Sequence, residues 1–314
     1  MVPDAVKVVH PKPDVKRGVE YWESVPATVD GVLGGFGTGT LPRVDAVGSR
    51  TFLLRTLPYL SSTPPAAYNG APREWSEKRV RERGGKGVTR TRALDCGAGV
   101  GRVSEHSLLP LVDEVHLVEP VHKFLLEAKR RSPSWAPLRE PVDSSPFCAQ
   151  KVAFFHTSTL QDFPLTHPHS ATDGAAPAIP PTANTNGGTP VADDERAAYD
   201  VVWCQWCLQH LSESDLLKFL REAQSCLRPP SASEDEDLAR PGGVIVVKEN
   251  VCSDNADGSE ATWYDDEDYS VTRSCTVYGR LFQSAGLEVV HTETQRGFPE
   301  ELFDVQMYAR WALR

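Results

Sequence analysis

The sequence predicts an α/β fold, a mostly parallel sheet with helices packed on both faces. Three observations carry that expectation. Short continuous apolar runs such as "RALDC", "EVHLVE", "VAFFHT", "YDVVW" and "GGVIVV" alternate with stretches of helical spacing. The first run opens straight into "GAGVG", a glycine turn that lets backbone approach a ligand at the start of a helix. Low-complexity composition is confined to three stretches, so the alternation continues across them.

Taken in order, "RALDCGAG" reads as a strand running into glycines, and "GRVSEHSLLPLV" as the helix that follows. "EVHLVEP" is a second strand, and "HKFLLEAKRR" a helix with basic residues near its end, where they suit the dipole. "VAFFHTSTLQDF" is a third strand with its loop, and "YDVVWCQW" a fourth. "SESDLLKFLREAQSCL" is a helix opened by Ser212 and Asp215 in a capping-box pattern, with Leu216, Leu217, Phe219, Leu220, Ala223 and Leu227 on its apolar stripe. "GGVIVVKEN" is a fifth strand, "VTRSCTVYGRLFQSAG" a helix stopping at Gly286, and "LEVVHTET" and "DVQMYARWAL" are terminal strands. The interrupting stretches, 61–92, 164–198 and 229–240, are Pro/Gly-rich, basic or acidic, and are expected as surface insertions. The two histidines of "THPHS" fall in the second and read as loop residues rather than metal ligands. The chain therefore divides into an N-terminal extension and lid (1–60), a disordered insertion (61–92) and a main domain (93–314).

Lys+Arg of 33 against Asp+Glu of 43 gives a formal charge of −10, which argues against phosphate-backbone binding and for a basic substrate or a small cofactor. No apolar run approaches the length of a membrane span, and the start lacks a secretory core. Seven scattered cysteines read as reduced thiols of a cytoplasmic protein, with a nuclear share left open by the basic "KRVRERGGKGVTRTR". Cys204 and Cys207 form C-x-x-C, which can be a redox pair or half a zinc site. No second pair follows at zinc spacing, and residues three apart on a strand face opposite ways, so structural thiols are the expectation.

The glycine turn "LDCGAGVGR" has G-x-G-x-G spacing, unlike the G-x-G-x-x-G of dinucleotide folds, and Glu119 ends the next strand, where a carboxylate can accept ribose hydroxyls. This arrangement resembles a Rossmann-like class I S-adenosylmethionine-dependent methyltransferase, which implies a seven-stranded sheet with an N-terminal helical lid. "YWESVPATVDGVLGGFG" at 21–37, "ALDCGAGVGR", "LQDF", "WCQWCLQHL", "VVKEN" and "AGLEVV" together resemble the α-N-terminal protein methyltransferases, which act on proteins beginning X-Pro-Lys or X-Pro-Arg. The resemblance runs from about Tyr21 to the end, outside the insertions.

It implies S-adenosyl-L-methionine as cofactor, held by Gly97, Gly99, Arg102, Glu119, Leu160, Gln161, Gln205 and Trp22, with Asp162 beside the adenine and no metal. It implies Asp268 and His210 as proton acceptors and Asn250 as the acceptor that orients the α-amine. Trp206, Leu33, Asp265, Ser270 and Phe303 would bind substrate, Asp265 and Ser270 gripping the third-position Lys or Arg. It further implies a monomer whose partners are protein N-termini, ribosomal proteins among them, and neither nucleic acid nor membrane. Two positions depart from the family pattern: Gly39 where an aliphatic residue is usual, with Leu41 a substitute, and Phe303 in place of a hydroxylated aromatic. The alternative is a methyltransferase acting on a small molecule or side-chain amine with the same fold.

Overall fold

The computed structural model describes residues 12–61, 63, 90–139, 151–168, 197–230 and 241–312. Most of the three expected insertions, with the second histidine of "THPHS", lies outside these residues. Their edges do not. Arg92 is the first residue of a strand, and Leu165 and Ala197 are buried in the core, so composition alone placed those boundaries a few residues too wide.

Five strands run parallel in the order β3 (Val152–Thr157), β2 (Glu114–Glu119), β1 (Arg92–Cys96), β4 (Val201–Gln205), β5 (Val244–Cys252). Apart from Thr157 at the end of β3 and Asn250 and Cys252 near the end of β5, their residues are buried, which is why they read as continuous apolar runs rather than as alternation. The last two strands complete this sheet: β9 (Asp304–Ala312) lies antiparallel to β5, and β8 (Leu287–Thr294) antiparallel to β9. Those seven strands are the expected ones.

Two more were not expected. β6 (Thr262–Tyr264) and β7 (Val271–Ser274) form an antiparallel hairpin, and β7 pairs with β5 at Val251 and Cys252. β4 occupies that edge of β5 only as far as Lys248, where β4 itself ends at Gln205, and β9 holds the opposite edge from Ile245 to Val251. The hairpin therefore sits beyond the carboxyl end of β4, where ligands of parallel sheets bind. It also shortens the helix expected from Val271. Ser274 accepts from the Val277 N–H as a cap, and the helix begins at Cys275.

Helices cover both faces. On one side α3 (Leu41–Thr56) buries Phe52 and Leu53, and α4 (His122–Arg131) buries Leu125 and Ala128, against Leu117, Phe155 and Val246. On the other, α5 (Glu213–Ser225) and α6 (Cys275–Ser284) pack Leu216, Phe219, Leu281 and Phe282 around Val202 and Ile245. The expected cap of α5 is present: the Ser212 hydroxyl accepts from the Asp215 N–H at 3.2 Å. After the glycine turn the chain makes only a wide π turn, Ser104–Leu108, and stops before Pro110.

The N-terminal segment is not one unit. α1 (Val15–Ser24) and α2 (Val29–Val32) lie over the sheet end, whereas α3 belongs to the core. Val19, Trp22, Val25, Val29 and Val32 pack on Val100, Val121 and Phe124, a small cluster separate from the two main cores. Leu41, offered as a substitute for Gly39, is buried at the start of α3. Among the described residues no helix is long and apolar enough to cross a membrane.

Candidate active site

A cleft of about 1010 Å³, partly open to solvent, lies between α1–α2 and the carboxyl ends of β1, β2 and β4. Its floor is the glycine turn. Gly97 has φ 64°, and a Cβ there would stand 2.5 Å from the Cβ of Cys207, so the turn tolerates no side chain. Gly99, also at positive φ, faces α2. Its N–H donates to Glu119 Oε2 at 2.8 Å, and the Val121 N–H donates to Oε1 at 2.8 Å, which fixes the carboxylate at the end of β2. Burial pushes Glu119 up to about 7 despite those two donors, and it likewise holds Asp95, bonded to the Ser104 hydroxyl, at about 7. Leu160 and Gln161 close one side, and the Gln161 Oε1 is buried without a hydrogen-bond partner. Among the described residues Arg102 is the one arginine or lysine in the lining, and Gln205 stands beside it at the end of β4.

These expected cofactor residues, with Trp22 from α1, all meet in one cleft. Asp162 does not line it; its carboxylate accepts from the Thr159 hydroxyl at 2.7 Å on the exposed side of that turn.

The other half of the cleft is built where β4 ends. Trp206 leaves the sheet with φ 55°, a left-handed conformation rare for a bulky residue and a common sign of a functional constraint. Two buried groups hold that turn from below. Glu249 accepts from the N–H groups of Cys207 and Leu208, both at 2.9 Å, and Arg273 of β7 donates to the Leu208 and Leu211 carbonyls. Burial raises Glu249 to about 7. The turn presents Trp206 and His210 to the cleft. Trp206 Nε1 donates to Asn250 Oδ1 at 3.0 Å, the Arg102 guanidinium lies 5.5 Å from the Trp206 ring centre, and Phe298 packs 6.2 Å away. Burial lowers His210, while the Asp268 carboxylate raises it and Arg273 lowers it further; the net shift is downward, so the imidazole is neutral at pH 7. Its Nε2 accepts from Trp22 Nε1 at 3.3 Å, and its Nδ1 is buried without a hydrogen-bond partner.

The acidic loop between β6 and β7 closes on itself: the Asp265 N–H donates to the Ser270 carbonyl at 3.0 Å, and the Ser270 N–H to Asp268 Oδ1 at 3.0 Å. Ser270 is buried, so its contribution here is to shape the loop. α1 docks on it. The Asp14 N–H donates to the Tyr269 carbonyl, and Arg17 both bonds the Tyr269 hydroxyl and stacks on its ring. Gly18 permits the approach, since a Cβ there would stand 3.2 Å from the Asp268 carbonyl and 3.3 Å from His210 Nδ1. Tyr21 faces the same loop; burial and then the carboxylates of Glu267, Asp268 and Asp265 push its hydroxyl upward.

Of the expected substrate and catalytic residues, Trp206, Leu33 and His210 line the cleft, and Asn250 touches it through Trp206. Asp265 and Asp268 stand at its rim beside α1. Phe303 is apart, half exposed and packed 5.6 Å from Trp263. Cys204 and Cys207 are both buried, with burial raising both thiols. Among the described residues no group of three His, Cys, Asp or Glu is placed to hold a metal ion. Sequence reasoning missed Tyr21, Glu249, Arg273 and Phe298; of these Tyr21, opening "YWESVPATVDGVLGGFG", and Glu249, inside "VVKEN", fell within quoted motifs.

Comparison with known proteins converges on one group. A family model described as AdoMet dependent proline di-methyltransferase matches residues 11–65, 71–164 and 189–311. The alpha N-terminal protein methyltransferase 1 of Schizosaccharomyces pombe is 35% identical over 291 residues, covering 93% of each chain. Its Arabidopsis thaliana counterpart is 33% identical over 94% of this chain and 78% of its own. The human N-terminal Xaa-Pro-Lys N-methyltransferase 1 is 31% identical over 92% and 91%. A solved SAM-dependent methyltransferase from Leishmania major is 28% identical, with a TM-score of 0.58 over 94% of this chain and 82% of that one.

Proposed function

On the premise that the chain belongs to the AdoMet-dependent proline di-methyltransferase family, we propose that it methylates the free α-amine of proteins beginning X-Pro-Lys or X-Pro-Arg once the initiator methionine is removed. The observation that carries this reading is one cleft joining a glycine cradle to a neutral, half-buried histidine, a strained tryptophan and an acidic rim.

The residues present fit the cofactor. Gly99 leaves open space in the cleft beside its backbone, a Cβ there meeting nothing nearer than Val32 at 3.8 Å, Glu119 is held ready for hydroxyl donors, and Arg102 is the available cation for a carboxylate. S-adenosylmethionine supplies an electrophilic methyl group on a sulfonium sulfur. The remaining work falls to the protein. The α-amine must be neutral to react, and its pKa of roughly 7.7–8.0 leaves a usable neutral fraction at physiological pH. The Asn250 carbonyl oxygen accepts from Trp206 and keeps a second lone pair with which to orient an amine N–H. His210 takes the departing proton at Nε2, after Trp22 gives up its bond there, and the Asp268 charge stabilises the imidazolium. The Trp206 face and Leu33 pack on the proline, and Asp265 receives the basic third side chain.

The proposal takes the enzyme to work as a monomer in the cytoplasm and the nucleus, with ribosomal proteins among its substrates; the family resemblance and the basic segment near 78–92 support that extension.

The test is mass spectrometry of a peptide beginning Ser-Pro-Lys-Arg, incubated with purified protein and S-adenosylmethionine beside an N-acetylated copy. Methyl addition to the free peptide alone is expected. Addition to both moves the site to lysine, and addition to neither overturns the proposed substrate.

A further inference from the structure

Behind the methionine end of the cleft, one fully buried carboxylate gathers three donors from separate parts of the chain. Asp45 of α3 accepts from Arg102 Nη1, from Gln205 Nε2 at 2.9 Å and from Lys248 Nζ at 2.6 Å. Lys248 of β5 is itself fully buried and donates to the Ser49 hydroxyl at 3.0 Å and to Gln295 Oε1 at 2.7 Å. The other end of Gln205 is fixed too, its Oε1 accepting from Trp203 Nε1 at 3.1 Å. Arg102 and Gln205 line the cleft; Asp45, Lys248, Ser49 and Gln295 do not.

The charge count is informative. Asp45 with Arg102 alone would be a neutral buried pair, the form that costs a fold least. Lys248 adds a second buried cation against the same carboxylate, leaving the group one positive charge in excess. Buried charge of that kind is costly unless something compensates it. Among the described residues the group opens to the cleft through Arg102 and Gln205, and Asp95, the other carboxylate acting on Arg102, is pushed by burial toward its protonated form, so a compensating anion would arrive at Arg102.

We propose that Asp45 and Lys248 are positioning residues for the cofactor's α-carboxylate. Asp45 sets the orientation of the Arg102 guanidinium and the Gln205 amide, and Lys248, by sharing Asp45, leaves Arg102 with uncompensated positive charge for the incoming anion. The proposal rests on the reading that Arg102 faces that carboxylate. Its consequence is selectivity: the pair favours a cofactor with an amino-acid tail over the same nucleoside thioether lacking only the carboxylate.

Calorimetric titration with S-adenosylhomocysteine and with its decarboxylated counterpart tests this on the wild-type enzyme, Lys248→Met and Asp45→Asn. The wild type is expected to prefer the carboxylate-bearing ligand by about tenfold or more. In Lys248→Met, which removes the excess positive charge, that ligand should weaken by about tenfold or more while the decarboxylated one changes little, so the preference collapses; in Asp45→Asn, where lost orientation and added positive charge oppose each other, the preference should fall less. KM for S-adenosylmethionine should rise with kcat at saturation nearly unchanged. A merely structural role predicts equal weakening of both ligands, or a smaller active fraction with the preference retained, and either result overturns the proposal. A wild type without preference removes the Arg102 assignment itself, a separate failure. Lys248→Met leaves Asp45 and Arg102 paired and fills the space with an apolar isostere, so it decides the matter if Asp45→Asn does not fold.

Discussion

The two halves of the cleft are built on different terms. The cofactor half is one strand end and its turn, Asp95 to Arg102, backed by Glu119 and the buried Asp45 group, with nearly every polar atom tied into the interior. The substrate half is assembled from four separate segments: α1, the turn after β4, the end of β5 and the loop between β6 and β7. Its turn after β4 is braced from below by Glu249 and Arg273, but several contacts between the segments are single and part-exposed, such as the Trp22–His210 bond at 3.3 Å. A rigid cradle beside a rim of loops suits an enzyme with one fixed cofactor and many protein termini to admit.

Changes in one half should leave the other intact, and the largest effect offers the clearest break. His210→Ala should lower kcat by roughly 10²–10⁴-fold while S-adenosylhomocysteine affinity holds within about twofold. Steady-state kinetics with parallel calorimetry check this; a matching loss of cofactor affinity would mean the halves are not separable. Gly97→Ala attacks the other side. Its Cβ would meet Cys207 at 2.5 Å in a left-handed backbone, so about 2–4 kcal/mol of stability and most cofactor affinity should be lost, as read by denaturant titration.

Asp265→Ala sharpens the substrate side alone. Peptide KM should rise by about tenfold for a third-position Lys, with KM for S-adenosylmethionine unchanged. Trp22→Phe is smaller, since it removes one hydrogen bond worth about 1 kcal/mol but keeps the ring. Losing a donor to the neutral Nε2 should raise the His210 pKa and shift the acidic limb of the pH–rate profile upward.

The smallest effect concerns pH. Burial holds Asp95, Glu119 and Glu249 at about 7, well above the ordinary carboxylate range of roughly 4. The native state keeps protons that the unfolded chain releases between that range and about 7, so stability falls as pH rises through that window. His210, lowered from 6.5, opposes this only below pH 6.5. The melting temperature should therefore drop by a few degrees between pH 6 and 7.5, as measured by differential scanning fluorimetry. A rise over the same interval would show these carboxylates to be ionised in the fold.

The cofactor half was legible in the sequence because it is local. A strand, its glycine turn and the acid ending the next strand follow one another within 28 residues, from Arg92 to Glu119, and each carries its own chemical signature. The substrate half was legible only through family resemblance, since a run such as "DDEDYS" reads equally as a solvated loop. The β6–β7 hairpin escaped notice for a similar reason: three- and four-residue strands barely register as a pattern, and Val271 onward continued smoothly into a helical one.

What the sequence determined by itself is the order of elements, the sheet class and the floor of the cofactor site, because hydrophobic period and turn chemistry act over a few residues. What only the tertiary structure decided is which distant groups meet. Lys248 bonds Ser49 across 199 positions, and β5 outruns β4 so that a hairpin can carry Asp265 and Asp268 to the rim of the cleft. Pairing of buried charges and the lateral placement of a hairpin depend on packing between whole elements, and no local pattern encodes either.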